Sequence, residues 1–221
     1  MNIENNILRH YLKNAYFITG TAYAGKSTTA KMLAERYGMV LCGENYFSEV
    51  SDIVANEELQ PDLCYIRNLT DWKDFVTRSP EEYERWIYAT GREAAGFEIA
   101  EIISLARDKK VIVDTNIPPD ILRQIADPDH VAVMLSPQSM SVDRFFDRAD
   151  PEKRFLLSVI ESCPDKDAVM ENYRQGLMLI NSRKHYDEYL SSGFFTVVRE
   201  DNGLDTRAEV CDKIARHFGL I

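Results

Sequence analysis

The chain has 221 residues, enough for one substantial hydrophobic core and marginal for two. Apolar residues make up 45 % and charged residues 28 %, as in an ordinary globular protein, and no stretch approaches the ~20 apolar residues of a membrane-spanning helix. The formal net charge is −10, from 26 basic and 36 acidic side chains, so no general field attracts a polyanion. We therefore expect neither a nucleic-acid nor a membrane partner.

The N-terminal segment and the cysteines favour a cytoplasmic protein. Residues 1–14 carry polar and charged side chains throughout and lack the apolar segment of a signal peptide. The four cysteines lie far apart, and no pair has the C-x-x-C spacing of a zinc site or a redox motif. We therefore expect Cys42, Cys64, Cys163 and Cys211 to be free thiols in a reducing compartment.

A short apolar strand is predicted at 15–19, and the loop that follows it at 20–28 reads Gly-Thr-Ala-Tyr-Ala-Gly-Lys-Ser-Thr. The spacing G-x-x-x-x-G-K-[ST] is typical of a loop that binds the triphosphate of a nucleotide. Gly20 and Gly25 allow a tight turn that brings backbone N–H groups against phosphate oxygens. The phosphate-binding loop is expected to comprise Gly20, Thr21, Ala22, Tyr23, Ala24, Gly25, Lys26, Ser27 and Thr28.

Two side chains of this loop have individual roles. Lys26 is expected to reach the β- and γ-phosphates, and the Ser27 hydroxyl is expected to bind Mg²⁺. The helix that follows presents the positive end of its dipole to the anion. A glycine-rich turn with a solvated lysine is the alternative, but the order of strand, loop and helix favours phosphate binding.

The helix after the loop has an apolar stripe and ends at Gly38, in the position of a C-terminal cap. A second strand is predicted at 39–42, and Glu44 follows it. A carboxylate there could accept a proton from an acceptor hydroxyl or bind that substrate. The alternative, equally well supported, is that Glu44 is a solvated glutamate in a loop, without a role in the site.

A long segment, 45–108, separates the second and third strands. Ser79, Pro80 and Glu82 predict a capped helix start, and the helical pattern continues towards Arg107 with Gly91 as a candidate break. The segment is rich in aromatic and basic residues: Trp72, Phe75, Tyr83, Trp86 and Tyr88, with Arg67, Lys73, Arg78 and Arg85. They could line an acceptor pocket, although packing between helices is the commoner reason for such spacing.

The third strand, 111–114, ends in Asp114, which would emerge beside the 20–28 loop. We expect Asp114 to support Mg²⁺, either directly or through water. The alternative is an aspartate that only caps the next turn.

A fourth strand is predicted at 131–135, and Arg144 and Arg148 follow it, four residues apart and hence on one helical face. Guanidinium groups bridge phosphate oxygens well, so this pair is expected to close over the transferred group. In the rival interpretation they pair with Asp143, Asp147 or Asp150 on a solvated helix.

The last part of the chain contains more predicted helices and one strand. Helices begin after Asp150 and after Asp165, and the second of them is expected to reach Leu190. A fifth strand follows at 194–198, and Thr206 with Glu209 predicts a capping box for the final helix. Continuous apolar strands separated by helices predict an α/β fold with a doubly wound, three-layer parallel sheet.

The 20–28 loop, the third strand ending in Asp114 and the arginines of 143–148 resemble those of a small-molecule P-loop kinase. The most similar group is that of nucleoside-monophosphate and shikimate kinases, within the P-loop NTPases. The resemblance implies one domain over 1–221 with strand order 2-3-1-4-5, an acceptor-binding insertion at about 45–108 and a lid at about 138–192. It also implies that adenine lies between the start of the lid and the loop at 199–203.

Three features depart from that family. Many members have glycine where this loop has Tyr23 or Ala24, and the second strand ends in Cys42-Gly43-Glu44 instead of a paired Asp-x-Asp. The 45–108 segment also lacks the usual monophosphate-binding arginine pattern. The acceptor therefore stays open among nucleoside monophosphates, nucleosides, sugar acids and antibiotic hydroxyls.

The sequence thus predicts an ATP- and Mg²⁺-dependent kinase of a small molecule, with Lys26, Arg144, Arg148, Asp114 and Glu44 as catalytic residues. Ser27 and Asp114 are the expected metal ligands. The alternative is a nucleotide-dependent switch or binding module without a small-molecule acceptor. A kinase of polynucleotide ends is disfavoured by the acidic charge, and neither the oligomeric state nor the choice of ATP over GTP follows from the sequence.

Overall fold

The centre of the molecule, in a computed structural model that describes residues 5–147, 150–200 and 202–221, is a parallel β-sheet. Within those residues the sheet has five strands in the order β2-β3-β1-β4-β5, and every pair is parallel. The strands are β1 (Ala15–Gly20), β2 (Val40–Cys42), β3 (Val111–Asp114), β4 (Val131–Leu135) and β5 (Phe195–Val198). The predicted strands and their order are confirmed.

Helices connect the strands. They are α1 (Asn5–Tyr11), α2 (Lys26–Tyr37), α3 (Ser48–Val54), α4 (Pro61–Cys64), α5 (Trp72–Val76), α6 (Pro80–Leu105), α7 (Pro119–Ile125), α8 (Gln138–Asp143), α9 (Pro151–Glu161), α10 (Lys166–Ile180), α11 (Arg183–Leu190) and α12 (Arg207–His217). Short 3₁₀ turns occur at Tyr65–Asn68, Pro128–His130 and Phe145–Asp147. None of the described helices is long and apolar enough to cross a membrane.

Both faces of the sheet are covered by helices. Phe17 and Val113 lie on one face, in a cluster with side chains of α6 and α7. Ile18 and Ile112 lie on the other face, in a cluster with side chains of α2 and α12. The three central strands β1, β3 and β4 are buried along their whole length, whereas the edge strands β2 and β5 are partly exposed. Burial on both faces explains why the central strands read as continuous apolar runs in the sequence.

A third apolar cluster joins the two long segments between strands. Phe75 and Tyr83 from 45–108 pack with Phe145, Leu156 and Tyr173 from 138–192. Helices α5, α8, α9, α10 and the start of α6 therefore meet in a cluster of their own, distinct from the two clusters on the faces of the sheet.

Helix α6 begins and continues as a single element. The Ser79 hydroxyl accepts a hydrogen bond from the Glu82 backbone N–H at 3.3 Å, and the Glu82 carboxylate accepts one from the Ser79 N–H at 3.0 Å. The predicted capping box is therefore confirmed. The break considered at Gly91 is wrong, because α6 continues through this residue to Leu105. A Cβ at Gly91 would lie 3.2 Å from the Asn116 carbonyl oxygen. This glycine lets a loop approach the helix and does not interrupt it.

Two other helix predictions are wrong. The helix expected from Asp165 to Leu190 is divided into α10 and α11 at Asn181, whose side-chain amide donates to the Leu177 carbonyl at 2.9 Å. The capping box expected for α12 does not form: the Thr206 side chain makes no capping hydrogen bond, and Glu209 pairs with Lys213 at 2.7 Å.

The four cysteines are free thiols and all of them are buried. Burial and the nearby carboxylates of Glu101 and Glu98 together raise the pKa of the Cys42 thiol to about 12. The thiolate of Cys42, which is the nucleophilic form, is therefore disfavoured.

Candidate functional site

The 20–28 loop begins at the carboxyl end of β1 with a backbone conformation that requires glycine. Gly20 has a φ of 130°, and a Cβ at this position would lie 1.9 Å from the Met134 carbonyl oxygen on β4. Gly25, with a φ of 92°, stands at the N-cap of α2. Both glycines of the motif therefore occupy left-handed conformations that a side chain disfavours.

The loop is held against β4 and α8 by hydrogen bonds. The Thr21 N–H donates to the Met134 carbonyl at 3.0 Å, and the Thr21 hydroxyl accepts from the Ser136 N–H at 2.9 Å. The hydroxyls of Ser136 and Ser141 both donate to the Ala22 carbonyl, at 2.6 and 2.9 Å. These neighbours fix the conformation of the loop before any ligand is present, as a pre-organised binding site requires.

Tyr23 connects the loop to two further segments. It has a φ of 65°, which is uncommon for a residue with a side chain. Its carbonyl accepts a hydrogen bond from the Arg199 guanidinium at 2.8 Å, and its hydroxyl donates to the Arg144 carbonyl. Ser136, Ser141 and Arg199 carry no motif, so the sequence did not reveal that they support the loop.

Lys26 places its positive charge inside the loop. Its ammonium group donates to the carbonyls of Gly20 at 3.2 Å and of Thr21 at 3.1 Å. Ser27 and Thr28 follow in the first turn of α2, and both are exposed. The first N–H groups of a helix lack intrahelical partners, so this end of α2 and the lysine together form a positive, hydrogen-bond-donating surface.

Asp114 is the last residue of β3 and is 5 % exposed. It pairs in register with Ile18 of β1, two residues before Gly20. Alternation along the strand places Asp114 on the same face as Ile112, which is the face covered by α2. The carboxylate of Asp114 and the hydroxyl of Ser27 therefore belong to neighbouring ends of β3 and α2.

This donor set suits Mg²⁺, which prefers oxygen ligands and usually keeps several waters. Among the described residues, no group of three or more His, Cys, Asp or Glu side chains could hold a metal ion. Besides the Ser27 hydroxyl and the Asp114 carboxylate, a bound Mg²⁺ would take phosphate oxygens and water as ligands.

Glu44 lies exposed in the turn after β2. Glu98, which the sequence reading did not single out, lies on α6 and is 2 % exposed. Burial, helped by the charges of Asp114 and Glu44 and opposed by hydrogen bonds with Thr115 and Tyr46, raises the pKa of Glu98 to about 7. The three carboxyl groups are thus electrostatically linked. In the sequence, Glu98 stands out only as a charged residue on an apolar helical stripe with Ala94, Ala95 and Ile102.

Of the two arginines predicted to share a helical face, the structure describes Arg144. The expectation that Arg144 lies on a helical face is wrong: α8 ends at Asp143, Arg144 follows it, and a 3₁₀ turn occupies Phe145–Asp147. The adjacent Asp143 pairs with Arg174 of α10, and Phe145 is buried in the third cluster. These contacts turn the chain away from a continuous helix. Arg148 lies outside the described residues.

The aromatic residues of 45–108 pack as a core. Trp72, Phe75, Tyr83 and Trp86 all belong to the third cluster, next to side chains of α9 and α10. The Tyr88 hydroxyl donates to the Ile180 carbonyl at 2.9 Å. The interpretation as packing between helices is therefore the one that the contacts favour.

The arginines of this segment are engaged within the protein. Arg67 donates to the Ser51 carbonyl at 2.6 Å, and Arg85 pairs with Asp62 at 2.9 Å. The Arg78 guanidinium lies 4.4 to 5.5 Å from the centroids of four aromatic rings, and burial lowers its pKa. Three arginines that could have bound an acceptor phosphate thus have intramolecular contacts.

An open cleft of ≈ 400 Å³ adjoins the 20–28 loop. Its walls come from the loop and the start of α2, from Met134 and Val197 on the sheet, and from the segment between β5 and α12. A volume of this size accommodates a nucleoside. The cleft includes Arg199 and Gly203, the ends of the loop expected beside adenine.

No protein-family model matches the chain, and no curated protein matches it significantly. The functional conclusion therefore depends on the residues and the geometry described above.

Proposed function

We propose that the protein is a kinase that transfers the γ-phosphoryl group of ATP, in the presence of Mg²⁺, to a hydroxyl of a small molecule. The observation that carries the proposal is the 20–28 loop. It leaves the carboxyl end of β1, enters the N-terminus of α2 and contains the Lys26 ammonium group. Strand, loop, helix and lysine occur in the order and position that a P-loop requires.

The donor nucleotide would extend from the loop into the adjoining cleft. The triphosphate binds against the backbone of residues 20–28, and the nucleoside enters the space between Gly25, Met134 and the segment after β5. Arg199 supports this arrangement because its guanidinium holds the carbonyl of Tyr23. This assignment explains why the loop and the cleft share Ala24, Gly25 and Thr28.

Phosphoryl transfer needs alignment and charge neutralisation more than covalent chemistry. Lys26 neutralises charge on the β- and γ-phosphates, and the N-terminus of α2 donates hydrogen bonds to them. Ser27 and Asp114 hold Mg²⁺, which when bound supplies further charge neutralisation on the phosphates. Arg144 and Arg148 remain candidates for the same role on the side of the 138–192 segment.

The acceptor would bind beside the carboxyl ends of β2 and β3. Ligands in open α/β sheets bind in the crevice at the carboxyl ends of the strands. Glu44 follows β2 at this end and can accept the proton that the acceptor hydroxyl loses. The helices of 45–108 and 138–192 would exclude water, which otherwise competes as acceptor.

The proposal is tested with Lys26→Ala. Loss of the ammonium group should lower transfer of labelled γ-phosphate from ATP to the acceptor by ~100-fold or more. Lys31→Ala is a matched control, because Lys31 lies on the same helix and only pairs with Glu35 at 4.0 Å on the surface. A Lys26→Ala protein that transfers phosphate at the wild-type rate would contradict the assignment.

The acceptor panel for this assay contains nucleosides, nucleoside monophosphates, sugar acids and aminoglycosides. Strong stimulation of ATP consumption by one class supports the kinase. ATP hydrolysis at one rate across the whole panel would instead favour a nucleotide-dependent switch.

A further inference from the structure

Glu98 lies where a carboxylate is unexpected, on the buried face of α6. It is 2 % exposed and shares its helical stripe with Ala95 and Ile102, which are also buried. Its Oε2 accepts a hydrogen bond of 2.6 Å from the Thr115 hydroxyl, and the Thr115 oxygen accepts one of 2.9 Å from the Ile117 N–H. The carboxylate therefore holds the turn that follows Asp114 at the end of β3.

The same residue of α6 also contacts the turn after β2. The Tyr46 hydroxyl donates to the Glu98 carbonyl at 3.1 Å. Tyr46 follows Glu44 by two residues, and Asn45 between them has a left-handed φ of 63°. Glu98 is thus joined to both turns that carry a candidate carboxylate of the site.

Stability alone gives no reason for an acid at this position. A buried carboxylate with only neutral hydrogen-bond donors loses its hydration without an opposite charge to compensate. Asp114 and Glu44 lie close enough to disfavour its ionised form further. A glutamine or an apolar residue would fill the space at lower cost.

We propose that Glu98 is a positioning residue for phosphoryl transfer: its carboxylate, through the Thr115 hydroxyl, fixes the turn that carries Asp114 relative to α6, whose main chain also holds Tyr46 of the turn that carries Glu44. The inference rests on the proposed kinase function. Residues that orient metal ligands and general bases commonly change activity by ~10–100-fold without touching the substrate.

Four variants test the link between Glu98 and Thr115. Glu98→Ala and Thr115→Val remove it, whereas Glu98→Gln and Thr115→Ser keep an acceptor and a donor of nearly the same shape. We expect the first two to lower kcat for transfer ~10–100-fold with little change in KM for ATP, and the second two to stay within ~3-fold of wild type. The double variant Glu98→Ala/Thr115→Val should be no slower than the slower single variant, because both remove one interaction.

Glu101→Ala serves as the control, since Glu101 lies one turn further along α6 and is half-buried. We expect its kcat to match wild type. Binding of Mg²⁺–ATP, measured by calorimetry, should be unchanged in all five single variants because the 20–28 loop is untouched. If Glu98→Ala does not fold, the test is the comparison of kcat between Thr115→Val, which lacks the hydroxyl, and Thr115→Ser, which keeps it.

The outcomes separate this inference from the proposed function. If the wild type transfers phosphate and Thr115→Val keeps its kcat, the positioning role is overturned while the kinase stands. If the slow variants lose activity only in proportion to their unfolded fraction, the role is structural and the inference is likewise wrong. If the wild type binds no Mg²⁺–ATP, the kinase proposal fails and the inference fails with it.

Discussion

At the scale of single residues, Gly20 illustrates how one backbone conformation fixes the candidate site. Alanine at this position would place its Cβ 1.9 Å from a carbonyl oxygen of the neighbouring strand, and backbone atoms cannot move away cheaply. We expect Gly20→Ala to lower the free energy of unfolding by more than ~3 kcal/mol, measured by urea denaturation.

Gly43→Ala is the control for this substitution. No atom lies within 4 Å of a Cβ at Gly43, so the change should stay within ~1 kcal/mol of wild type. Equal destabilisation by the two substitutions would show that the close approach at Met134 is not what requires glycine.

Glu98 gives the protein a pH-dependent stability. Its folded-state pKa of about 7 exceeds the ordinary value of 4.5, so the native state binds this proton more tightly than the unfolded chain. The stabilising contribution is complete below pH 4.5 and is lost as the pH rises through 7. In the absence of nucleotide, Glu98→Gln should exceed wild type in stability by about 3 kcal/mol at pH 8, at about 1.4 kcal/mol per pKa unit.

Urea denaturation at pH 5 and pH 8 measures this difference. The advantage of Glu98→Gln should shrink at pH 5, where wild-type Glu98 is largely protonated in the folded protein. The groups that interact with Glu98 include Asp114, Glu44, Thr115, Tyr46 and Cys42, and none of these five carries a positive charge. An advantage of the same size at both pH values would contradict the prediction.

The residues of the candidate site differ in how visible they are in the sequence. Lys26 and Ser27 could be predicted because a phosphate loop has a fixed spacing. Ser136 and Arg199 could not, because each supports the loop across the fold and carries no local pattern. Glu98 was detectable only as a charge on an apolar stripe, and the partner that explains it, Thr115, is brought near by the tertiary structure.

At the scale of helices, substitution by alanine should change the stability of the protein in opposite directions at two glycines that both lie inside helices. In α10, a Cβ at Gly176 would lie 2.8 Å from a ring carbon of buried Tyr83. In α6, a Cβ at Gly96 would meet nothing within 4 Å. We expect Gly96→Ala to raise stability by ~0.5–1 kcal/mol through helix propensity, and Gly176→Ala to lower it by ~1–3 kcal/mol through overpacking.

Thermal unfolding of the two variants side by side provides the measurement. The pair is informative because the intrinsic gain in helix propensity is the same at both positions. An increase in Tm for Gly176→Ala would mean that α6 and α10 can move apart without loss of stability. It would contradict the close packing of these helices.

Helix boundaries were predictable where a local pattern defines them. Ser79 and Glu82 form their capping box from side chains three residues apart, and Gly38 ends α2 in the left-handed conformation. The division between α10 and α11 falls at Asn181 and Ser182, where the sequence has neither a glycine nor a proline to mark it. The central strands β1, β3 and β4 were predictable for a different reason, their burial on both faces.

At the scale of the whole molecule, the excess of ten negative charges predicts weak interaction with polynucleotides. Binding of single-stranded DNA or RNA is driven by positive charge that releases counterions. We expect a labelled oligonucleotide to show no change in anisotropy with micromolar protein at 50 mM salt. Tight binding that weakens steeply between 50 and 200 mM salt would revive a kinase of polynucleotide ends.

Because its own four thiols are all enclosed, the protein is suited to site-specific labelling. A maleimide dye should react fastest with a cysteine newly placed on the surface, for example at Phe155 of α9 or Lys31 of α2, where the native side chains are exposed. Resonance energy transfer between two such dyes would then report, in solution and one molecule at a time, whether added nucleotide changes the distance between α2 and α9.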